Sequence, residues 1–236
     1  MNCRWCHNPE GQLDRPETYK RKILLDGRHF TLEETAGRWM TVSEVMEEIR
    51  KDSIFYDESL GGVTFSGGEP LMQHQFLHGL LEACKEADLQ TTLDTCGFAD
   101  KDDLRLVMDR VDLFLFDIKL LDDTKHIRYT GVSNKPILEN LRLLVEMKKN
   151  VILRFPYIPG ITDTGKNKDA VKKLVGLISG GIREIDLLPY HMLAKGKYIL
   201  INKSTWQKDI PAVSNEQLQN FKKELEGIGM KVKIGG

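Results

Sequence analysis

Short apolar runs recur along this chain, separated by patterns of helical period. The runs Gly62-Val63-Thr64-Phe65-Ser66, Gln90-Thr91-Thr92-Leu93-Asp94, Leu113-Phe114-Leu115-Phe116-Asp117, Val151-Ile152-Leu153-Arg154-Phe155 and Glu184-Ile185-Asp186-Leu187-Leu188 are nearly continuous in apolar character. That pattern predicts strands buried on both faces. Between them, Leu77, Leu80, Leu81 and Cys84 fall on one helix face, Ile137, Leu138, Leu141, Leu144 and Val145 on a second, and Val171, Leu174, Val175 and Ile178 on a third. Thr41-x-x-Glu44 and Ser214-x-x-Gln217 predict capping boxes that open helices. Lys231-Val232-Lys233-Ile234 predicts a short strand after the last helix. Strand–helix alternation predicts an α/β fold with parallel strands and right-handed crossovers. Polar groups at the end of nearly every strand favour a closed or partly closed (β/α) barrel over an open sheet. Residues 11–40 are charged and weakly periodic, so they read as an insertion within one domain spanning 1–236.

Composition narrows the function. A chain of 236 residues with 41% hydrophobic content can fill the core of one medium domain. A net charge of −1 argues against nucleic acid as the main partner. No apolar stretch approaches the length of a membrane span. The four cysteines are too few and too clustered for a secreted disulfide scaffold, so a reducing cytoplasm is the expected compartment.

Three constellations carry candidate chemistry. The first is Cys3-x-x-Cys6 with Trp5 between and His7-Asn8-Pro9-Glu10 after. Such a pair is open to three readings: half a zinc site, a dithiol redox pair, or part of an iron–sulfur loop. Cys84 and Cys96 lie in helix and strand patterns and do not complete a zinc set; both read as structural, Cys96 bordering the site. The second is Gly61-Gly62-Val63-Thr64-Phe65-Ser66-Gly67-Gly68-Glu69-Pro70, where a strand runs into two glycines and a carboxylate. Glycines there allow a ligand to approach the backbone closely. The third is the set of charges at successive strand ends: Asp94 beside Thr95, then Asp117 and Lys119, Arg154, and His191. In parallel α/β folds such strand ends converge on one mouth.

Taken in order, Cys-x-Trp-Cys-His-Asn-Pro-Glu, Gly-Gly-Val-Thr-Phe-Ser-Gly-Gly-Glu-Pro, Leu-Asp-Thr-Cys-Gly, Asp-Ile-Lys, Thr-Gly-Val-Ser-Asn and Leu-Leu-Pro-Tyr-His span nearly the whole chain. This set resembles the radical S-adenosylmethionine (SAM) enzymes that activate glycyl radical enzymes, the pyruvate formate-lyase-activating type. The resemblance implies a partial (β/α)6 TIM-like barrel. It implies a 4Fe-4S cluster held by three cysteines, with S-adenosylmethionine chelating the open iron. Reductive cleavage would give a 5′-deoxyadenosyl radical that takes hydrogen from a glycine Cα of the partner. Cys3 and Cys6 match the second and third cluster ligands. Trp5 matches an aromatic near the adenine, and Asn8 follows in the same loop. Ser66, Gly67, Gly68 and Glu69 match the segment that holds the methionine amino group. Asp94, Asp117 and Lys119 match residues around the methionine carboxylate and an associated monovalent cation. Arg154 and His191 match residues reaching the carboxylate or ribose side. Opposite charges suit a zwitterionic methionyl group. The implied partners are a glycyl radical enzyme and an electron donor such as flavodoxin or ferredoxin, with the activator acting as a monomer.

Two departures shape the expectations. The first cluster cysteine of the C-x3-C-x2-C pattern would fall two residues before Met1, so the expected form has about five strands, lacks the first strand and is impaired in cluster assembly. Residues 11–60 hold no cysteine, which excludes auxiliary clusters there. Tyr19, Phe30 and Trp39 of this stretch are candidates to cover the cluster or meet the partner. A radical SAM enzyme acting on a small molecule, a non-catalytic form that binds S-adenosylmethionine or the partner, and a zinc or dithiol module remain as alternatives.

Overall fold

The computed structural model describes residues 1–13, 15–59, 61–178, 181–191, 195–200 and 210–235. After the cysteine loop and a 3-10 turn at Pro9–Gln12 come two antiparallel strands, β1 (Glu17–Leu25) and β2 (Arg28–Ala36). Asp26 and Gly27 join them with φ of 48° and 74°. Positive φ at both central residues is what a tight hairpin turn needs, and Asp-Gly supplies it. The insertion expected at 11–40 is therefore largely a β-ribbon. Its register is set by a turn dipeptide, so the weak periodicity of its flanks carried little signal.

Two helices follow, α1 (Val42–Arg50) and α2 (Ser53–Ser59). Thr41 caps α1: its hydroxyl accepts the Glu44 N–H, and the Glu44 carboxylate accepts the Thr41 N–H at 2.7 Å. The Ser214 hydroxyl likewise accepts the Gln217 N–H.

The main body alternates strand and helix: β3 (Gly62–Phe65), α3 (His74–Glu86), β4 (Gln90–Thr95), α4 (Lys101–Met108), β5 (Leu113–Asp117), α5 (Asp123–Thr130), α6 (Lys135–Glu146), β6 (Val151–Tyr157), α7 (Gly165–Ile178), β7 (Glu184–Pro189), α8 (Lys195–Leu200), α9 (Asn215–Glu226) and β8 (Lys231–Ile234). The strands form one parallel sheet in the order β3-β4-β5-β6-β7-β8. Each neighbour in sequence is thus a neighbour in space, as helical crossovers favour.

Two expectations need correction. The sheet has six strands, because Lys231–Ile234 adds to β7 in parallel register. As a partial (β/α)6 barrel should, it leaves β3 and β8 as edges and does not close. The strands are also not equally buried on both faces. In β6, Val151, Leu153, Phe155 and Tyr157 are buried while Ile152, Arg154 and Pro156 are half-buried, and β5 alternates in the same way. One face carries the core and meets the helices through Leu81, Leu104, Leu141, Val175 and Phe221. Each large side chain buried there contributes about 1.5–3 kcal/mol. The other face carries Asp94, Asp117 and Arg154, and it opens into the cavity described next.

Candidate active site

A cavity of about 530 Å³ lies beyond the C-terminal strand ends. Its walls include Cys3, Trp5, Cys6, Asn8, Ser66, Gly67, Gly68, Asp94, Asp117, Lys119, Arg154 and His191. Those are all the site residues read from the sequence except Glu69.

The cysteine loop is held from several sides. The Asn2 N–H donates to the Thr130 carbonyl at 2.8 Å and the Arg4 N–H to the Tyr129 carbonyl at 3.1 Å. Those two carbonyls lie at the C-terminal end of α5, where helix carbonyls lack intrahelical partners. The loop on either side of Cys3 therefore satisfies the end of a helix. A tight turn then brings the Cys6 N–H to the Cys3 carbonyl at 3.1 Å. Trp5 is buried in a small cluster with Leu120, Ile158, Ile161, Tyr190 and Ile210, while still bordering the cavity. His7 stacks on His191 with ring centroids 4.2 Å apart. Further along, Gly68 lies so close to Gly11 that a Cβ on it would overlap the Gly11 carbonyl.

Charges meet across three strands. Asp117 and Arg154 are register partners on β5 and β6. Arg154 pairs with Asp94 at 2.6 Å, and Ser66 donates to the same carboxylate oxygen at 3.1 Å. Lys119 Nζ donates to Asp117 Oδ2 at 2.9 Å and is only 6% exposed at its side chain. Burial works against the Lys119 ammonium, but the charge of Asp117, with Cys3 and Cys96, outweighs it and raises the pKa above the ordinary lysine value. Lys119 is thus a buried cation beside the cysteines. Burial pushes the Cys3 thiol up, with Lys119 pulling the other way. Burial also raises Cys6, against a hydrogen bond from the Asn8 N–H. Among the described residues, Asp117 Oδ1, Arg154 Nε, His7 Nε2 and Tyr190 Oη are buried with no hydrogen-bond partner. Buried polar atoms without partners are costly, and four around one cavity mark where a polar ligand fits.

Glu69 lies elsewhere than expected. Its carboxylate accepts from Thr95 Oγ1 at 2.6 Å, Cys96 N at 2.8 Å, Cys96 Sγ at 2.7 Å and Leu71 N at 3.1 Å. It ties the β3 exit to the end of β4 instead of facing the cavity. Glu69 raises the Cys96 thiol further after burial has already done so. Cys96 borders the cavity while its thiol serves Glu69. Cys84 is fully buried in α3 against Met46, as its helix face predicts.

Some contributors were not read from the sequence. Asn167 donates to the Lys119 and Thr162 carbonyls and accepts from the Leu121 N–H, fixing the exit of β5. Asn134 donates to the Leu120 and Leu121 carbonyls. Lys197 on α8 reaches Asn8 and Glu10. The Thr-Gly-Val-Ser-Asn motif ends at Asn134 and was the available signal for it; Asn167 and Lys197 act across the fold, with no local pattern to reveal them.

A family model described as the Radical SAM superfamily matches residues 1–167. The chain belongs to the radical SAM superfamily. Over its full length this radical SAM chain is 34% identical to the trans-4-hydroxy-L-proline dehydratase activating enzyme of Clostridioides difficile, covering 90% of that protein. It is 35% identical to the pyruvate formate-lyase 2-activating enzyme of Escherichia coli, over 99% of this chain and 83% of that one. A solved domain of the pyruvate-formate lyase-activating enzyme from Bacteroides vulgatus superposes with a TM-score of 0.63 at 31% identity, covering 75% of this chain and 99% of that one. Its curated relatives are glycyl-radical-enzyme activating enzymes, as the motifs implied. No described helix is long and apolar enough to cross a membrane.

Proposed function

We propose that this radical SAM chain activates a glycyl radical enzyme by abstracting hydrogen from a glycine Cα of that partner. The observation that carries the reading is the meeting, in one cavity, of Cys3 and Cys6 with the opposed charges of Asp94, Asp117, Lys119 and Arg154.

The donor chemistry fits a 4Fe-4S cluster at two positions, Cys3 and Cys6. Burial favours their neutral thiols, yet metal binding displaces the proton and gives the thiolate that iron requires. Neither remaining cysteine fits as a third ligand: Cys84 packs against Met46, and the Cys96 thiol is committed to Glu69. Cys3 and Cys6 are thus the thiolates that this loop offers the cluster. The cluster, when bound, supplies the electron that cleaves S-adenosylmethionine to methionine and a 5′-deoxyadenosyl radical. The chain's own residues bind and orient. Lys119 stays protonated and suits the methionyl carboxylate. Asp94 and Asp117 suit its ammonium, beside the Ser66-Gly67-Gly68 backbone. Trp5, Asn8 and His191 line the side left for the adenosine. Asp94 and Asp117 would hold the monovalent cation that the motifs imply only in exchange for Arg154, which spans them here. An electron donor of the flavodoxin or ferredoxin type and action as a monomer complete the proposal.

The test is anaerobic reconstitution of the protein with iron and sulfide, then mixing with reductant, S-adenosylmethionine and candidate glycyl radical enzymes. The expected result is a glycyl radical signal by electron paramagnetic resonance on one partner. Formation of 5′-deoxyadenosine with no radical on any partner would overturn the protein-substrate reading in favour of a small molecule.

A further inference from the structure

Helix α8 reaches back over the cysteine loop from the other end of the sequence. Lys197 Nζ donates to Asn8 Oδ1 and to Glu10 Oε1, each at 2.7 Å. Asn8 lies two residues after Cys6 in the same loop and, like Cys6, borders the cavity. Tyr198, the next residue, is buried at 5% exposure. Glu10 Oε2 is buried, with no hydrogen-bond partner among the described residues, so the Lys197 ammonium is the cation paired with that carboxylate. The two halves of the cysteine loop therefore hang from different supports. Asn2 and Arg4, which flank Cys3, are tied to the end of α5 by backbone hydrogen bonds that no side-chain change removes. Past the Cys6 N–H bond to the Cys3 carbonyl, the residues after Cys6 are held by His7 on His191, by the Gly11–Gly68 contact and by the charged side-chain clasp from α8.

We infer that Lys197 is a positioning residue for the Cys6 half of the loop: by clasping Asn8 and Glu10 it holds the Cys6 thiol at the cavity wall. Without it, a partly buried carboxylate loses its counter-ion, and the loop turns outward to reach water. The inference rests on the reading of Cys6 as an iron ligand, but its test does not, because the readout is the exposure of a thiol.

The test is the rate at which Cys3 and Cys6 are alkylated by iodoacetamide in the metal-free 236-residue chain, resolved by mass spectrometry of the two sites. In Lys197→Ala the Cys6 rate rises by about fivefold, the scale of one partly exposed charge-assisted contact, while Cys3 stays within about twofold of the native rate. Lys197→Arg keeps the charge and returns Cys6 towards the native rate. Added salt speeds Cys6 labelling in the native chain and leaves the alanine variant unchanged. Should Lys197→Ala fail to fold, Glu10→Gln removes the same ion pair from the other side, and the same selective rise at Cys6 is expected. Unchanged labelling of Cys6 overturns the inference. So does an equal rise at Cys3 and Cys6, which would mean general loosening and not a clasp. Loss of activity in a reconstituted enzyme with normal labelling of Cys6 would count against the proposed function's details and not in favour of the clasp.

Discussion

Asp186 sits on β7 as the register partner of Arg154, at 6% exposure, with Oδ1 buried and unpartnered among the described residues. Burial raises its carboxyl pKa, an effect that Lys233 only partly offsets. A carboxyl whose folded pKa exceeds the unfolded value of about 3.9 favours folding below that pH, and the contribution is lost as pH rises through the folded value. At neutral pH the ionised group therefore costs stability. Asp186→Asn is expected to raise the thermal midpoint at pH 7, with the gain shrinking as pH falls towards about 4. A lower midpoint at pH 7, read in thermal melts across a pH series, would contradict this. Residue identity was the most legible scale in the sequence: Asp94, Asp117, Lys119, Arg154 and the two cysteines do meet in one cavity. Glu69 was not legible there. Its four donors come from Leu71, Thr95 and Cys96, and the three from the last two residues lie 26 or 27 positions away. A strand-end carboxylate looks alike in sequence whether it faces a ligand or ties two strand ends together.

Between elements, the decisive contact is backbone on backbone, where the exit of β3 touches the 3-10 turn that follows the cysteine loop. A Cβ at Gly68 overlaps the Gly11 carbonyl, whereas one at Gly67 meets nothing within 4 Å. Gly68→Ala must therefore push the Pro9–Gln12 turn away, at a cost of about 1–3 kcal/mol for an overpacked contact. The expected outcome is a thermal midpoint lowered by several degrees, together with weaker iron retention after reconstitution. An unchanged midpoint and iron content would show that the two segments do not touch. Helix faces and caps were legible because both are local: the Thr41 box forms as written, and Leu77, Leu80, Leu81 and Cys84 are all buried. Strand burial was misjudged because an apolar run such as Leu113–Phe116 satisfies one buried face and one half-buried face equally well. The ribbon was missed because its one sharp signal, Asp26-Gly27, sits between strands whose exposed residues show no clear alternation.

In the whole molecule, six parallel strands and their helices form a frame that carries the cavity at one end, and the cysteine loop is docked there by α5, α8, the β3 exit and His191. The order of motifs made this architecture readable, since four of them lie at the ends of β3, β4, β5 and β7. The clasp from Lys197 on Glu10 and the bracing of the Lys119 carbonyl by Asn167 were not readable, since they join positions 187 and 48 residues apart. The central claim is that this cavity binds and cleaves S-adenosylmethionine through Cys3, Cys6 and Lys119. Its most direct measurement is 5′-deoxyadenosine formed under reduction by the anaerobically reconstituted protein, beside its Cys6→Ser and Lys119→Met variants. Product is expected from the first, none from Cys6→Ser, and a fall of at least about tenfold with Lys119→Met, as befits loss of a buried charged contact. Equal product from the Cys6→Ser variant, or a colourless protein carrying stoichiometric zinc and forming none, would contradict it.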